Sequence, residues 1–481
     1  MKDLTGLALD AASSQGAEYA DIRIVRYNYQ NVFARDEIIR SISESESFGF
    51  GIRTYYKGGW GFASSNVVTK EEIKKIAALS VQIAKASAAS VKKIVPPAPV
   101  KSYVDSWKTS YKKNPFQVPI DKKVEVLLST NQEMLKVQNV IRAVSDLGFE
   151  SEHKYFASTV GSYIEQEVMR SNASATAIAR KNGEVKTRTY QVAPLNIGYE
   201  HIEAVDMPGH AKRIAEEAVE HCMAAKGPVG NKDLVLSPSH LALTIHESVG
   251  HPTELDRALG FEADFAGTSF ATPDKLNKLK YGSEIVNFIC NRNKPHSRST
   301  VGYDDEGVKT GKYYLIKDGI FVGYSTTREF APMIGEKESR GCAYADSWSN
   351  PPILRMANTS LEPGKKGSPT PDELIADTKD GILIDGMGSF SIDHQRNNFQ
   401  FGGDAFWEIK NGKKTRMLKE VTYQALTTEF WNSCDAICSP EFWKQQGVRT
   451  CGKGQPMQRG QMSHGSAWAR FRNISVGGAQ Q

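Results

Sequence analysis

A chain of 481 residues exceeds what one hydrophobic core ordinarily serves and is expected to divide into two or three domains. Hydrophobic residues make up 40% and charged residues 24%, the balance of a globular chain, and a net charge of +5 without a dense Lys/Arg block excludes the footprint of a nucleic-acid binder. No apolar run approaches the ~20 residues a bilayer demands, the amphipathic, acidic N-terminus lacks a secretory pattern, and six scattered cysteines argue against a disulfide scaffold, so a cytoplasmic, reducing setting is expected.

Residues 20–64 alternate apolar and polar positions and predict strands, with Lys57-Gly58-Gly59 as a turn. Residues 69–89 predict an amphipathic helix capped by Thr69. Prolines at 96, 97, 99, 115 and 119 predict an irregular crossing. A helix over 118–137 leads into further strands, where Asn182-Gly183 is the strongest hairpin signal. A helix over 208–225 precedes the small, polar stretch KGPVGNKD, which predicts a boundary between domains 1–225 and 226–481. Beyond it, a strand at 232–236 runs into Ser237-Pro238, a helix start, and hairpins turn at Asp318-Gly319 and Asn411-Gly412. The fold class is α+β, with antiparallel, hairpin-rich sheets and helices in both domains.

The helix that opens at Ser237 carries His246-Glu247-Ser-Val-Gly-His251. Two imidazoles with a neighbouring carboxylate suit a metal that acidifies a water and a base that takes its proton. Zinc hydrolases usually space the two histidines four apart. At a spacing of five, they point roughly 140° apart on a straight α-helix. Two devices reunite them, a π-bulge or a helix that ends between them. Gly250 and Pro252 favour the second, the glycine by permitting unusual φ and the proline by disfavouring helix at His251. The competing reading is a hydrogen-bonded core histidine beside a solvated glutamate.

A metal site needs a third ligand, and Glu254, Asp256, Glu262, Cys451 and His464 are all open by spacing. Cys451 sits between Arg449 and Gly452-Lys453-Gly454, a setting that favours thiolate. Asp304-Asp305-Glu306-Gly307 reads as a turn. Arg340 and Arg355 read either as clamps for a peptide carboxylate or as structural pairs. Cys434 and Cys438, four apart, read as buried thiols on one helix face. The chain lacks a G-x-S-x-G elbow, a P-loop and a dinucleotide fingerprint.

Several stretches in order resemble the TldD/PmbA family and its metal-bearing TldD-type members: GFGIRTYYKGGWGFASSN, HESVGH, STVGYDDEGVKTGKYYLIKDGIFVGY, LRMANTSLEPG, CGKGQP and the terminal NISVGG. The resemblance implies a zinc-dependent peptidase in which His246, His251 and Cys451 hold Zn2+ and Glu247 is the general base. It also implies a homodimer, or a heterodimer with a paralogue lacking H-E-x-x-x-H. The N-terminal domain would then serve dimerisation and wall the cleft, which admits short or unfolded peptides by strand addition. A second implication is a non-catalytic, protein-binding role of the topoisomerase-modulator type. The tail after Cys451 is longer than the family pattern and brings in His464, either as a ligand or as a hydrogen-bond partner to one.

Overall fold

In the computed structural model, which describes residues 1–454 and 457–477, the alternating run near the N-terminus forms two long antiparallel strands, Tyr19–Arg35 and Ile38–Tyr56. Gln455, Pro456 and Gly478, from the two C-terminal family-like stretches, lie outside the described residues. The long strands join Gly59–Ser65, Val140–Ser158, Tyr163–Lys181, Glu184–Gln191 and Val104–Lys108 in a seven-stranded sheet. Asn182 and Gly183 adopt φ of 52° and 81° in the hairpin turn predicted there. The helix Lys70–Ala88 starts where predicted, with the Thr69 hydroxyl accepting from the Glu72 backbone N–H. Its apolar face and that of Lys2–Ser14 cover one region of the sheet; Ile120–Leu135 and Met207–Met223 cover another. The proline-rich crossing is not wholly irregular, because Val104–Lys108 pairs in parallel with Tyr163–Glu167.

The second half is built on a ten-stranded sheet centred on Gly230–Leu236, flanked by Asp380–Asp385 in parallel and Ala469–Val476 antiparallel. The sheets are thus mainly antiparallel, with a few parallel pairs, in an α+β architecture. A four-stranded sheet containing Thr359–Leu361 and a two-stranded ribbon, Lys444–Lys453 with Gln458–Ser466, complete the frame of the site. Cys434 lies on the strand Cys434–Ile437 and Cys438 just beyond it, so they share no helix face; both thiols are buried. The segment pairs antiparallel with Ala469–Phe471, a contact some thirty residues away that the four-residue spacing of the cysteines does not reveal.

Asp304-Asp305-Glu306-Gly307 is a turn, but a buried one. Asp304 Oδ1 accepts from the backbone N–H groups of Glu306 and Val308, and Gly307 takes φ of 74°. Glu306 pairs with Arg53 at 2.9 Å and Asp305 with Lys154 at 2.6 Å, so the turn ties the second half to the N-terminal sheet.

Candidate metal centre

The helix Pro238–Ile245 begins as its sequence dictates, with the Ser237 hydroxyl accepting from the His240 backbone N–H and Pro238 in the first turn. It is followed by a π turn, His246–Gly250, in which the His251 N–H donates to the His246 carbonyl. A 3-10 turn, His251–Thr253, follows directly. The π turn alone widens the helix enough to return the residue five places on to the same face. The rings of His246 and His251 stand 4.7 Å apart between centroids.

Here the structure corrects the expectation of a break. Gly250 has φ of −59° and His251 φ of −63°, both helical, so neither unusual φ nor Pro252 turns the second ring. Gly250 is needed for space instead. A Cβ built on it would lie 2.5 Å from Met356 Sδ.

The ribbon delivers the third residue. Cys451 is 7% exposed, and its Sγ lies 3.4 Å from His251 Nε2. Ligand atoms of His246, His251 and Cys451 all fall within 4.8 Å of one another. Four-coordinate zinc with His and Cys ligands places donor atoms about 3.3–3.6 Å apart, so the 3.4 Å pair already fits and the third atom is within a small adjustment.

The other open candidates sit behind these three. Glu254 Oε2 receives His251 Nδ1–H at 2.8 Å, while its Oε1 lies 3.1 Å from Lys453 Nζ and accepts from the Met356 backbone N–H. Asp256 pairs with Lys453 at 2.8 Å. His464 Nε2 faces His246 Nδ1 at 2.8 Å. Glu262 has one buried carboxylate oxygen without a hydrogen-bond partner among the described residues and is not in the three-residue cluster. Glu247 is 6% exposed, with Oε2 on the Arg396 guanidinium. Of the two arginines read as clamps, Arg340 pairs with Glu336 at 2.7 Å, whereas Arg355 is buried and donates to the Cys451 carbonyl at 2.9 Å.

Protonation favours ligation. Burial pulls His246 and His251 down to about 4, so both are neutral imidazoles near pH 7. Burial pushes the Cys451 thiol up, but His251 and the Arg355 guanidinium outweigh it and bring the thiol down to about 7. Burial likewise opposes ionisation of Glu254, and Lys453 and His251 overcome it, holding Glu254 well below the usual carboxylate range.

Arg396, Lys453 and Thr359 were not singled out from sequence for the contacts they make. Lys453 carried a signal, standing two residues from Cys451 on a strand and therefore on its face. Arg396, in a turn at φ of 63°, carried none.

Residues 20–84, 113–222 and 229–478 match three family models, described as PmbA/TldA metallopeptidase domain 1, central domain and C-terminal domain. The chain is 30% identical over 438 residues to a metalloprotease of Methanocaldococcus jannaschii, covering 91% of this chain and 92% of that one. It is 24% identical over 480 residues to a Saccharolobus solfataricus protein named a zinc metalloprotease TldD homolog, covering 97% and 98%. The solved structure of TldE from Thermococcus kodakarensis, 18% identical, shares the fold with a TM-score of 0.77 over 99% of this chain and 100% of that chain. With all three domain models in order and a relative at 30% identity along nearly its whole length, this chain belongs to the TldD/PmbA family of metallopeptidases.

Proposed function

We propose that the protein is a zinc-dependent peptidase acting on short or unfolded peptides, with His246, His251 and Cys451 as metal ligands and Glu247 as general base. The observation that carries this reading is the convergence of the three donor atoms within 4.8 Å, contributed by residues up to 205 positions apart, next to a buried glutamate. Zinc bound there supplies a Lewis acid that polarises a peptide carbonyl and acidifies water. Glu254 and His464 hold the far nitrogens of the two imidazoles and orient them. Arg396 fixes one oxygen of Glu247 and leaves the other to take a proton from the attacking water and hand it to the leaving amine.

The partner, a second copy or a paralogue without H-E-x-x-x-H, belongs to the same proposal. Residues 38–49 of the strand Ile38–Tyr56 pair on one side only among the described residues, and Ile38 and Ile42 are exposed there. Such an edge suits strand addition by a partner or a peptide. All six cysteines are free, which supports a reducing, cytoplasmic setting. The non-catalytic alternative expects a degraded motif, and here every member of the cluster is in place.

The test is Glu247→Gln, assayed on a pool of unfolded peptides by mass spectrometry beside its zinc content. Zinc retained with activity down by about 10²–10⁴ supports the assignment. Full activity in the zinc-loaded variant rejects it.

A further inference from the structure

Where the two halves meet, a cavity of about 30 Å³ is lined by residues of both the N-terminal sheet and the second half. Three arginines on its wall, Arg292, Arg298 and Arg355, are only 3–4% exposed, and none is in an ion pair with a carboxylate among the described residues. Arg292 spends its donors on the carbonyls of Ser299 and Gly341. Arg298 reaches the Leu195 carbonyl at 3.3 Å and the Gln461 side chain. Arg355 reaches the Cys451 carbonyl. That leaves Arg298 Nε, Arg355 Nε, Arg355 Nη1 and the Ser299 hydroxyl buried with no hydrogen-bond partner among the described residues. Buried donors without partners are rare. Against the cost of burial, the charges of Cys451 and Glu254 hold Arg355 above its ordinary value, so the shortage of counter-charge falls on Arg298, and an uncompensated buried cation is among the costliest arrangements in a protein interior. Burial pulls Arg298 down to about 9, as expected of a guanidinium with little negative charge close by.

The acids on the same wall do not fill this role. Glu152 is taken by Lys154 and Arg170, each at 2.7 Å. Asp305 is taken by Lys154, and Asp304 by three backbone N–H groups. Five cations thus face three carboxylates that are already engaged.

We infer that this cavity is a carboxylate-binding subsite, in which Arg298 and Arg355, with the Ser299 hydroxyl, hold an oxyanion beside the candidate metal centre. A volume of about 30 Å³ equals the room for roughly two waters, which suits a carboxylate head and little more. Guanidinium is the group of choice for such planar recognition. The link to the centre is short: Arg355 bonds the Cys451 backbone, and Met356 and Met462 line the cavity while packing against Cys451. If the peptidase reading holds, on which this substrate assignment rests, the favoured substrates carry a carboxylate near the scissile bond, as an α-carboxyl terminus or an acidic side chain. A free small carboxylate offers the same chemistry.

The experiment uses the full chain. Its thermal unfolding midpoint is measured as acetate replaces chloride at constant ionic strength, for the native protein, Arg298→Met and Arg298→Lys. The midpoint rises with acetate in the native protein, the rise is lost in Arg298→Met, and part survives in Arg298→Lys. Arg298→Met, relieved of an unpaired buried charge, unfolds no earlier than the native protein without acetate. Should it fail to fold, a weakened acetate response in Arg298→Lys carries the same test. No acetate response in the native protein, or an undiminished one in both variants, overturns the inference. A second arm measures peptide binding to Glu247→Gln, which needs no turnover. Binding about tenfold tighter for a free C-terminal acid than for its amide assigns the subsite to the α-carboxylate, and the same preference for Glu over Gln within an amidated peptide assigns it to a side chain. An acetate response with neither preference keeps the subsite and assigns it to a free anion. An acetate response in a protein that proves to lack peptidase activity keeps the subsite while removing the peptidase reading.

Discussion

His464 Nε2 stands 2.8 Å from His246 Nδ1, and the other nitrogen of the same ring stands 2.9 Å from the carbonyl oxygen of Thr359. The carbonyl can only accept, so His464 Nδ1 carries the proton and Nε2 is bare. His246 Nδ1–H then donates to it, and the lone pair of His246 Nε2 is left for a metal. Burial holds His464 well below the usual histidine range, which keeps this relay neutral. His464→Ala is expected to weaken zinc retention about 10–100-fold without abolishing it. Competition with a chelator of known affinity checks this; complete loss of binding would make His464 a ligand instead.

Cys451 and Lys453 point the same way along their strand, the first toward His251 and the second into the carboxylates of Glu254 and Asp256. One segment therefore supplies a proposed ligand, Cys451, and the counter-charge for the carboxylate that orients another, His251. Cys451→Ala is expected to lose zinc, read by elemental analysis, with little change in the stability of metal-free protein. Lys453→Met strands two buried acids and is expected to cost about 3–5 kcal/mol in denaturant unfolding, with part recovered by adding Asp256→Asn. Zinc retained at one per chain in Cys451→Ala would remove it from the ligand set.

What the sequence revealed was local. Asn182-Gly183 and Ser237-Pro238 specify a turn and a helix start within a few residues, and both stand as predicted. The strand Val104–Lys108 was hidden among prolines because its pairing with Tyr163–Glu167 lies some sixty residues away. In the site, H-E-x-x-x-H announced itself, yet the choice between a π turn and a helix end rested on the wrong property of Gly250, its conformational freedom rather than its missing Cβ. Glu254, singled out only as an open candidate for the third ligand, instead partners His251, because residues three apart on a helical turn are neighbours. Arg396 meets Glu247 across 149 residues, with no periodicity to mark it.

Gly250→Ala isolates the packing argument. The added methyl meets Met356 Sδ at 2.5 Å in a buried cluster shared with Cys451, while the backbone angles suit alanine. Overpacking of this kind costs about 1–3 kcal/mol. The double variant Gly250→Ala/Met356→Ala is expected to recover a large part of the lost unfolding free energy, a coupling that a double-mutant cycle measures. Equal losses in single and double variants would show that the glycine is not there to admit the methionine.

His240, one turn and a half before the metal motif, gives the fold a pH dependence separable from metal binding. Its Nδ1 donates to the Gly386 carbonyl at 2.9 Å, and its Nε2 faces the Tyr423 hydroxyl at 2.8 Å. Burial pulls it from 6.5 down to about 4 in the folded chain. A folded pKa below the unfolded one means that the unfolded state takes up the proton first. Stability is therefore full above about 6.5 and falls as the pH drops from there toward 4, by about 1.4 kcal/mol per pH unit for this one ring in mid-window. In chelator-stripped protein, urea unfolding between pH 7 and 4.5 is expected to show a falling free energy, and His240→Gln is expected to flatten the slope by about one proton. An unchanged slope in the variant would mean that His240 is already protonated in the fold, against its place between a carbonyl and a phenol in a closed core.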